Sequence, residues 1–222
     1  MPTVVALLWR KNFRNTLLFG LRPVNPKMTK FVGTAFTVRT IPVREDLVEA
    51  QGRGERPNLQ AQAVADITAD EVLVVAMDRE ERTAFMGDSM TTHLQVKGVR
   101  GIVLDGGVSD TAAIAATPIP VFCMGNAGIP VTSHRFVIDL NAPVGVAGIP
   151  VLPGNVVMGD PNGVCVTPAH MADEIATLAL ERELLEEFVV GRGREGAPLA
   201  RTYPPDAATL AAFDAWRKAE GR

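Results

Sequence analysis

Residues 87–110 read GDSMTTHLQVKGVRGIVLDGGVSD, and their texture decides the fold. A polar stretch compatible with helix, from Ser89 to about Val96, leads into the apolar run GIVLD at Gly101–Asp105. A continuous apolar run of this length, without polar alternation, marks a strand covered on both faces, as in parallel sheets flanked by helices. The same pattern extends outward. EVLVVAM at Glu71–Met77 and the run at Val121–Met124 read as further buried strands, and FVGTAFTVRT at Phe31–Thr40 as a β-branched strand. Leu59–Ile67 and Ser109–Ala116 read as short helices, with Gly106-Gly107 as a turn between them. Strands alternating with helices over the middle third predict an α/β layer with parallel pairing.

From Phe136 the texture changes. VIDLNAPVGVAGIPVLPGNVVMGDPNGVCVTP is Val-rich, punctuated by Gly and Pro, and predicts antiparallel strands with turns at Pro153–Asn155 and Asp160–Gly163. A long helix is expected from about Pro168 to Val190, with proline in its first turn. A loop and a last amphipathic helix at Ala207–Glu220 follow, so the expected organisation is an α/β domain over 1–190 and a C-terminal extension over 191–222. Gly191–Gly196 matches G-x-G-x-x-G letter for letter. The dinucleotide fingerprint needs a strand before it and a helix after it. Here a helix precedes and Pro198 follows, so the segment reads as a hinge.

The chain has 222 residues, 47% of them apolar and 21% charged, which suits one folded domain with an appendage and argues against disorder. Twenty-two Lys and Arg against 25 Asp and Glu give a net charge of −3, without the basic run that a nucleic-acid surface needs. Neither a secretory signal nor a membrane span of ~20 apolar residues is legible, and a cytoplasmic protein is expected. Cys123 and Cys165 each sit in an apolar run and read as buried, reduced thiols.

Asp88 and Asp110 each stand at a strand-to-helix junction. In a parallel layer such junctions gather at one edge of the sheet, where ligands bind. Each junction also offers helix N-terminal amides to an anion, and Gly87, Gly106 and Gly107 permit close approach to the main chain. A carboxylate able to hold a hard cation beside an anion-binding helix end suits chemistry on a 2-oxo acid. The plainer alternative stays open: Asp88, Ser89, Ser109 and Asp110 are all good N-cap residues.

Asp88, twenty residues, then Ser109-Asp110 resembles the D-x20-R-D signature of the regulator-of-ribonuclease-activity A (RraA-like) family, which includes 4-hydroxy-4-methyl-2-oxoglutarate aldolases. FGLRPVNP, FVGTAFTVR, GDSM, KGVRGIVLDGGVSD and PVLPGNVVMGDPNGVCVTP resemble family blocks in order, over roughly residues 13–190. The resemblance implies a swivelling β/β/α-type fold with a mixed sheet and helices, assembled as a homotrimer or a dimer of trimers. It implies that Asp110 binds Mg²⁺ or Mn²⁺, and that Asp88 acts in catalysis by holding a metal-bound water. It places Gly87, Ser89, Met90 and Ser109 in the substrate-binding loop, with the amides of Ser89 and Met90 receiving a substrate carboxylate. The chain departs from the family at Ser109, where the signature has arginine. A hydroxyl does not replace a planar, permanently charged fork, and Arg39, Arg82 and Arg135 are the candidates to substitute for it.

The remaining polar residues read as structural. His93, His134 and His170 form no zinc-ligand cluster, Asp160 is a turn residue, and Glu181, Glu183, Glu186 and Glu187 are a solvated helix face. Ser89 lacks a nucleophile-elbow pattern. The expected function is a metal-dependent aldolase or decarboxylase of a small 2-oxo acid, working through a stabilised pyruvate enolate. The alternative is a non-catalytic regulator that binds a ribonuclease. A methyltransferase reading lacks the Gly-rich nucleotide loop it would require.

Overall fold

The structure, a computed structural model, describes residues 1–221. It divides into two compact units, one over Met1–Ala172 and a second that begins at Asp173.

The first unit is built on one mixed sheet. Its centre is formed by β3 (Phe31–Pro42), β4 (Glu71–Ala84), β5 (Gly101–Val108) and β6 (Val121–Cys123), after the short β1 (Leu17–Leu18) and β2 (Arg22–Pro23). Three of the central pairings are parallel: Thr34 faces Glu71, Val72 faces Gly101, and Ile102 faces Val121. Small edge strands β7 (Gly125–Asn126) and β8 (Ile129–Pro130) follow, then β9 (Arg135–Leu140) and the hairpin of β10 (Val144–Val146) and β11 (Ile149–Val151). The antiparallel end is closed by β12 (Val156–Asp160) and β13 (Gly163–Thr167), giving the path β1-β13-β12-β3-β4-β5-β6-β2. The parallel middle and the antiparallel C-terminal third therefore fall where the sequence texture changes.

Both faces of this sheet are covered, which is why its central strands are apolar without a break. Along β4, Leu73, Val75 and Met77 join the cluster under the helices, while Val72, Val74 and Ala76 join the cluster under the hairpin. After α1 (Pro2–Arg10) and α2 (Glu45–Gly52), the helical layer comprises α3 (Leu59–Asp66), α4 (Asp88–Val96) and α5 (Thr111–Ala115). These contribute Ala63, Leu94 and Ile114 to the first cluster. Val144, Val146, Ile149 and Val151 of the hairpin close the other face. Leu73, Ile102 and Leu104 are wholly buried, and each such side chain contributes about 1.5–3 kcal/mol over its exposed state. Hairpin, sheet and helices make three layers, the β/β/α arrangement expected of a swivelling domain.

Local differences from the sequence reading have clear causes. Gly106 and Gly107 lie within β5 and do not turn. A Cβ on Gly106 would sit 2.3 Å from the sulfur of Met77, so glycine is there to admit a neighbouring side chain. Strand β4 runs on to Ala84 through an irregularity at Asp78 and Arg79, both in the left-handed region with φ of 56° and 58°.

In the second unit, α6 (Ala172–Arg194) is followed by α7 (Leu199–Thr202) and α8 (Ala207–Ala219). The expected hinge at Gly191–Gly196 is a correction: α6 continues through Gly191 and Gly193, and the break falls at Gly196, with φ of 92°. Asp206 caps α8 by accepting the Thr209 amide at 2.8 Å. On this amphipathic helix Phe213 and Trp216 pack against Phe188 at centroid distances of 5.8 and 5.5 Å, whereas Leu210 stays exposed.

Candidate active site

The β4–α4 and β5–α5 junctions meet at the C-terminal edge of the parallel strands. Phe85 N–H donates to the Gly107 carbonyl at 2.9 Å, and Ser109 N–H to the Met86 carbonyl at 3.0 Å. These two bonds stitch the loop carrying Gly87 and Asp88 to the loop carrying Ser109 and Asp110.

Gly87 is where they touch. A Cβ built on it would meet Asp110 Oδ2 at 2.2 Å and Ser109 Oγ at 2.6 Å. The space a side chain would need is filled by the carboxylate and its hydroxyl neighbour. Ser109 Oγ donates to Asp110 Oδ2 at 2.8 Å, fixing one carboxylate oxygen. Asp110 itself has φ 52° and ψ 36°, a left-handed conformation that aspartate tolerates better than most residues.

Neither aspartate caps its helix through its side chain. Gly87 is the N-cap of α4 and Asp88 its first residue, and the cap of α5 is Asp110 without a side-chain bond. Both carboxylates are exposed at the edge. The first intrahelical bond of α4 is Thr91 N–H to the Gly87 carbonyl at 3.2 Å. The amides of Asp88, Ser89 and Met90 therefore precede the ladder and sit at the positive end of the helix dipole. Downstream carbonyls are engaged within the helix: Thr92 Oγ1 donates to the Asp88 carbonyl and His93 Nδ1 to the Ser89 carbonyl, at 2.8 and 2.9 Å.

The donors at the Gly87 cradle are the Asp110 carboxylate and the Ser109 hydroxyl, both hard oxygens, with the exposed Asp88 next to Gly87 in the chain. Among the described residues no group of three or more His, Cys, Asp or Glu converges as a metal cage. Such a set fits Mg²⁺ or Mn²⁺, which take one or two carboxylates and keep several waters, and does not fit a structural zinc.

Two of the proposed stand-ins for the family arginine are committed to other partners. Arg82 pairs with Glu80 at 2.5 Å and holds that carboxylate down to about 2. Arg135 is buried against Thr40 and Asp78, and Arg39 lines a pocket beside it. None of the three has a hydrogen bond or ion pair to Asp88, Ser109 or Asp110 among the described residues. A concavity of about 1,190 Å³ lies at the opposite edge of the sheet, lined by Phe31, Arg100, Pro120 and Met158. Cys123 and Cys165 are buried, with burial pushing both thiols up to about 11.

One residue beside the edge escaped the sequence reading. Asp105 is 2% exposed, and its carboxylate accepts Met77 N–H at 2.6 Å and Ala147 N–H at 2.9 Å. Burial lifts its pKa despite amide donors that pull it down. It ties β5 to the start of the β4 irregularity and to the hairpin turn. The available signal was a lone carboxylate inside the run IVLDGGV.

Comparison with known proteins bears on the family and the fold. The family described as RraA-like, Aldolase/RraA, matches residues 9–166. A Halalkalibacterium halodurans protein provisionally named 4-hydroxy-4-methyl-2-oxoglutarate aldolase is 26% identical over 125 residues, 56% of this chain and 59% of that protein. The chain thus spans about three-fifths of the length of that curated relative. The crystal structure of Streptomyces coelicolor RraAS2, titled an unusual member of the RNase ES inhibitor RraA protein family, superposes with a TM-score of 0.75 at 29% identity, covering 84% of this chain and 89% of that one. A Pseudomonas syringae protein of unassigned function shares the fold with a TM-score of 0.78 at 22% identity, over 91% of each chain. No helix among the described residues is long and apolar enough to cross a membrane.

Proposed function

The chain belongs to the RraA-like family, and from that premise we propose that it is a divalent-metal-dependent lyase of small 2-oxo acids. The substrate class is that of 4-hydroxy-4-methyl-2-oxoglutarate, with oxaloacetate decarboxylation as a simpler companion reaction. The observation that carries the reading is the packing of Gly87 against the Asp110 carboxylate and Ser109 hydroxyl, beside the open amides of α4.

Asp110 would hold Mg²⁺ or Mn²⁺, its free oxygen facing the ion while Ser109 steadies the other. Asp88, one residue beyond Gly87, would accept hydrogen bonds from the hydration shell. A bound cation supplies a Lewis acid that polarises a 2-oxo group. The amides of Ser89 and Met90 would orient the substrate carboxylate at the helix N-terminus. A neighbouring subunit of a homotrimer, or of a dimer of trimers, would complete this exposed edge and exclude water.

A second reading is supported by RraAS2: a protein-binding regulator of a ribonuclease, without catalysis. The two separate in parallel assays of pyruvate release from 4-hydroxy-4-methyl-2-oxoglutarate and of inhibition of an RNase E-type nuclease. Metal-dependent pyruvate release supports the lyase. Inhibition without it supports the regulator.

A further inference from the structure

A second polar concavity, of about 310 Å³, lies between β3, the β4 irregularity and the β10–β11 hairpin, with Arg39, Thr40, Asp78, Arg135 and Gly145 on its walls. Arg135 is 7% exposed. Its Nε donates to Thr40 Oγ1 at 3.0 Å, Nη2 to the Thr40 carbonyl at 3.1 Å, and Nη1 to Asp78 Oδ2 at 3.4 Å. A guanidinium carries five N–H donors, so these acceptors leave two over. Among the described residues the one carboxylate paired with this buried cation is Asp78, at a long 3.4 Å and itself 81% exposed. Buried charge is costly unless fully paired, so the compensation here is incomplete.

Two further donors line the same space. Arg39 has no ion-pair partner among the described residues, and a register shift at Arg39/Thr40 re-aims the strand there. Its cross-strand neighbour Asp139 has one oxygen engaged by the Leu140 amide at 3.0 Å. Gly145 lies opposite Pro150, one step from the Val146–Ile149 pair that closes the two-residue turn. Closing pairs of such turns are hydrogen-bonded and the next pair is not, so the Gly145 N–H is directed away from β11.

We propose that this pocket binds a small oxyanion-bearing ligand, a carboxylate or a phosphate, gripped by the guanidinium forks of Arg39 and Arg135 with the Gly145 amide as a third donor. Two cations against Asp78 leave the pocket net positive, and guanidinium forks match both anions in bidentate geometry. The walls of this pocket include none of Gly87, Asp88, Ser109 or Asp110, and the proposal does not depend on the activity proposed for those residues.

The test is titration calorimetry and thermal melting of the full chain with inorganic phosphate and, separately, succinate, each against sodium chloride of equal ionic strength. At least one anion is expected to bind saturably and to raise the wild-type melting temperature, since a ligand of the folded state stabilises it. Binding in one arm alone identifies the anion type. Arg39→Gln, at an exposed position, should fold normally and weaken binding at least tenfold. Asp78→Asn removes the competing carboxylate and should tighten binding, a gain that misfolding does not produce. Wild-type protein that responds to neither anion beyond the chloride control overturns the proposal, as does Arg39→Gln binding like wild type or Asp78→Asn binding more weakly.

Discussion

Replacing Gly87 with alanine probes the acidic edge with a single methyl group. Gly87 has φ −123° and ψ −159°, extended backbone that alanine adopts freely, so the effect is steric. The new Cβ would lie 2.2 Å from Asp110 Oδ2 and 2.6 Å from Ser109 Oγ, where ordinary contact begins at 3.4 Å. The carboxylate must therefore retreat by roughly 1 Å, whereas metal–oxygen distances tolerate only about 0.2 Å. Loss of placement costs about 10- to 100-fold in metal affinity, equivalent to about 1.4–2.8 kcal/mol. Asp110 is exposed and can swing toward solvent, so metal-free stability should change by no more than ~0.5 kcal/mol. Calorimetric titration of Mn²⁺ into wild type and Gly87→Ala reads the difference. Gly52→Ala, where a Cβ meets nothing within 4 Å, is the control. Equal Mn²⁺ affinity in Gly87→Ala and wild type would refute the placement of the cation at Asp110.

Three further outcomes follow from the same geometry. Asp105→Asn presents an NH₂ group to one of the two amides its oxygens now accept, and should cost about 1–3 kcal/mol in urea unfolding. Because burial raises the Asp105 pKa, its contribution is full below the unfolded value of 3.8 and fades as pH climbs through the folded value. The stability gap between wild type and variant should thus narrow with rising pH, and a gap that widens would contradict the sign. Cys123 and Cys165, buried with thiols near 11, should resist a thiol reagent at pH 8 until denaturant is added, and rapid labelling of either would place it at the surface. Ser109→Arg restores a charge-assisted contact worth roughly 1.5–3 kcal/mol, so pyruvate release should rise about tenfold or more, and a fall would show that the Ser109–Asp110 bond matters more.

Much of the fold was legible because apolar runs betray strands covered on both faces, as at Glu71–Met77 and Gly101–Asp105. The acidic pair was legible too, since each aspartate follows a strand. What sequence could not show was which glycines turn the chain and which admit a neighbour. Gly106 looks like a turn and is a strand residue beneath Met77, while Gly87 looks like loop and is the contact point for Asp110. Asp105 and Arg135 were opaque for another reason. A buried charge is recognisable only by its partners, and these come from Ala147, Thr40 and Asp78, far off in the chain or on another strand. The continuation of α6 through Gly191 and Gly193 likewise overrides weak helix propensity.

Metal-dependent pyruvate release from oxaloacetate, wild type against Asp110→Ala with an enzyme-free metal blank subtracted, tests the central claim most directly. Wild type should release pyruvate with Mg²⁺ or Mn²⁺ and stop on chelation, and Asp110→Ala should lose on the order of 100-fold or more, since it removes the proposed carboxylate ligand. Chelator-insensitive turnover, or an Asp110→Ala variant as active as wild type, would contradict the account.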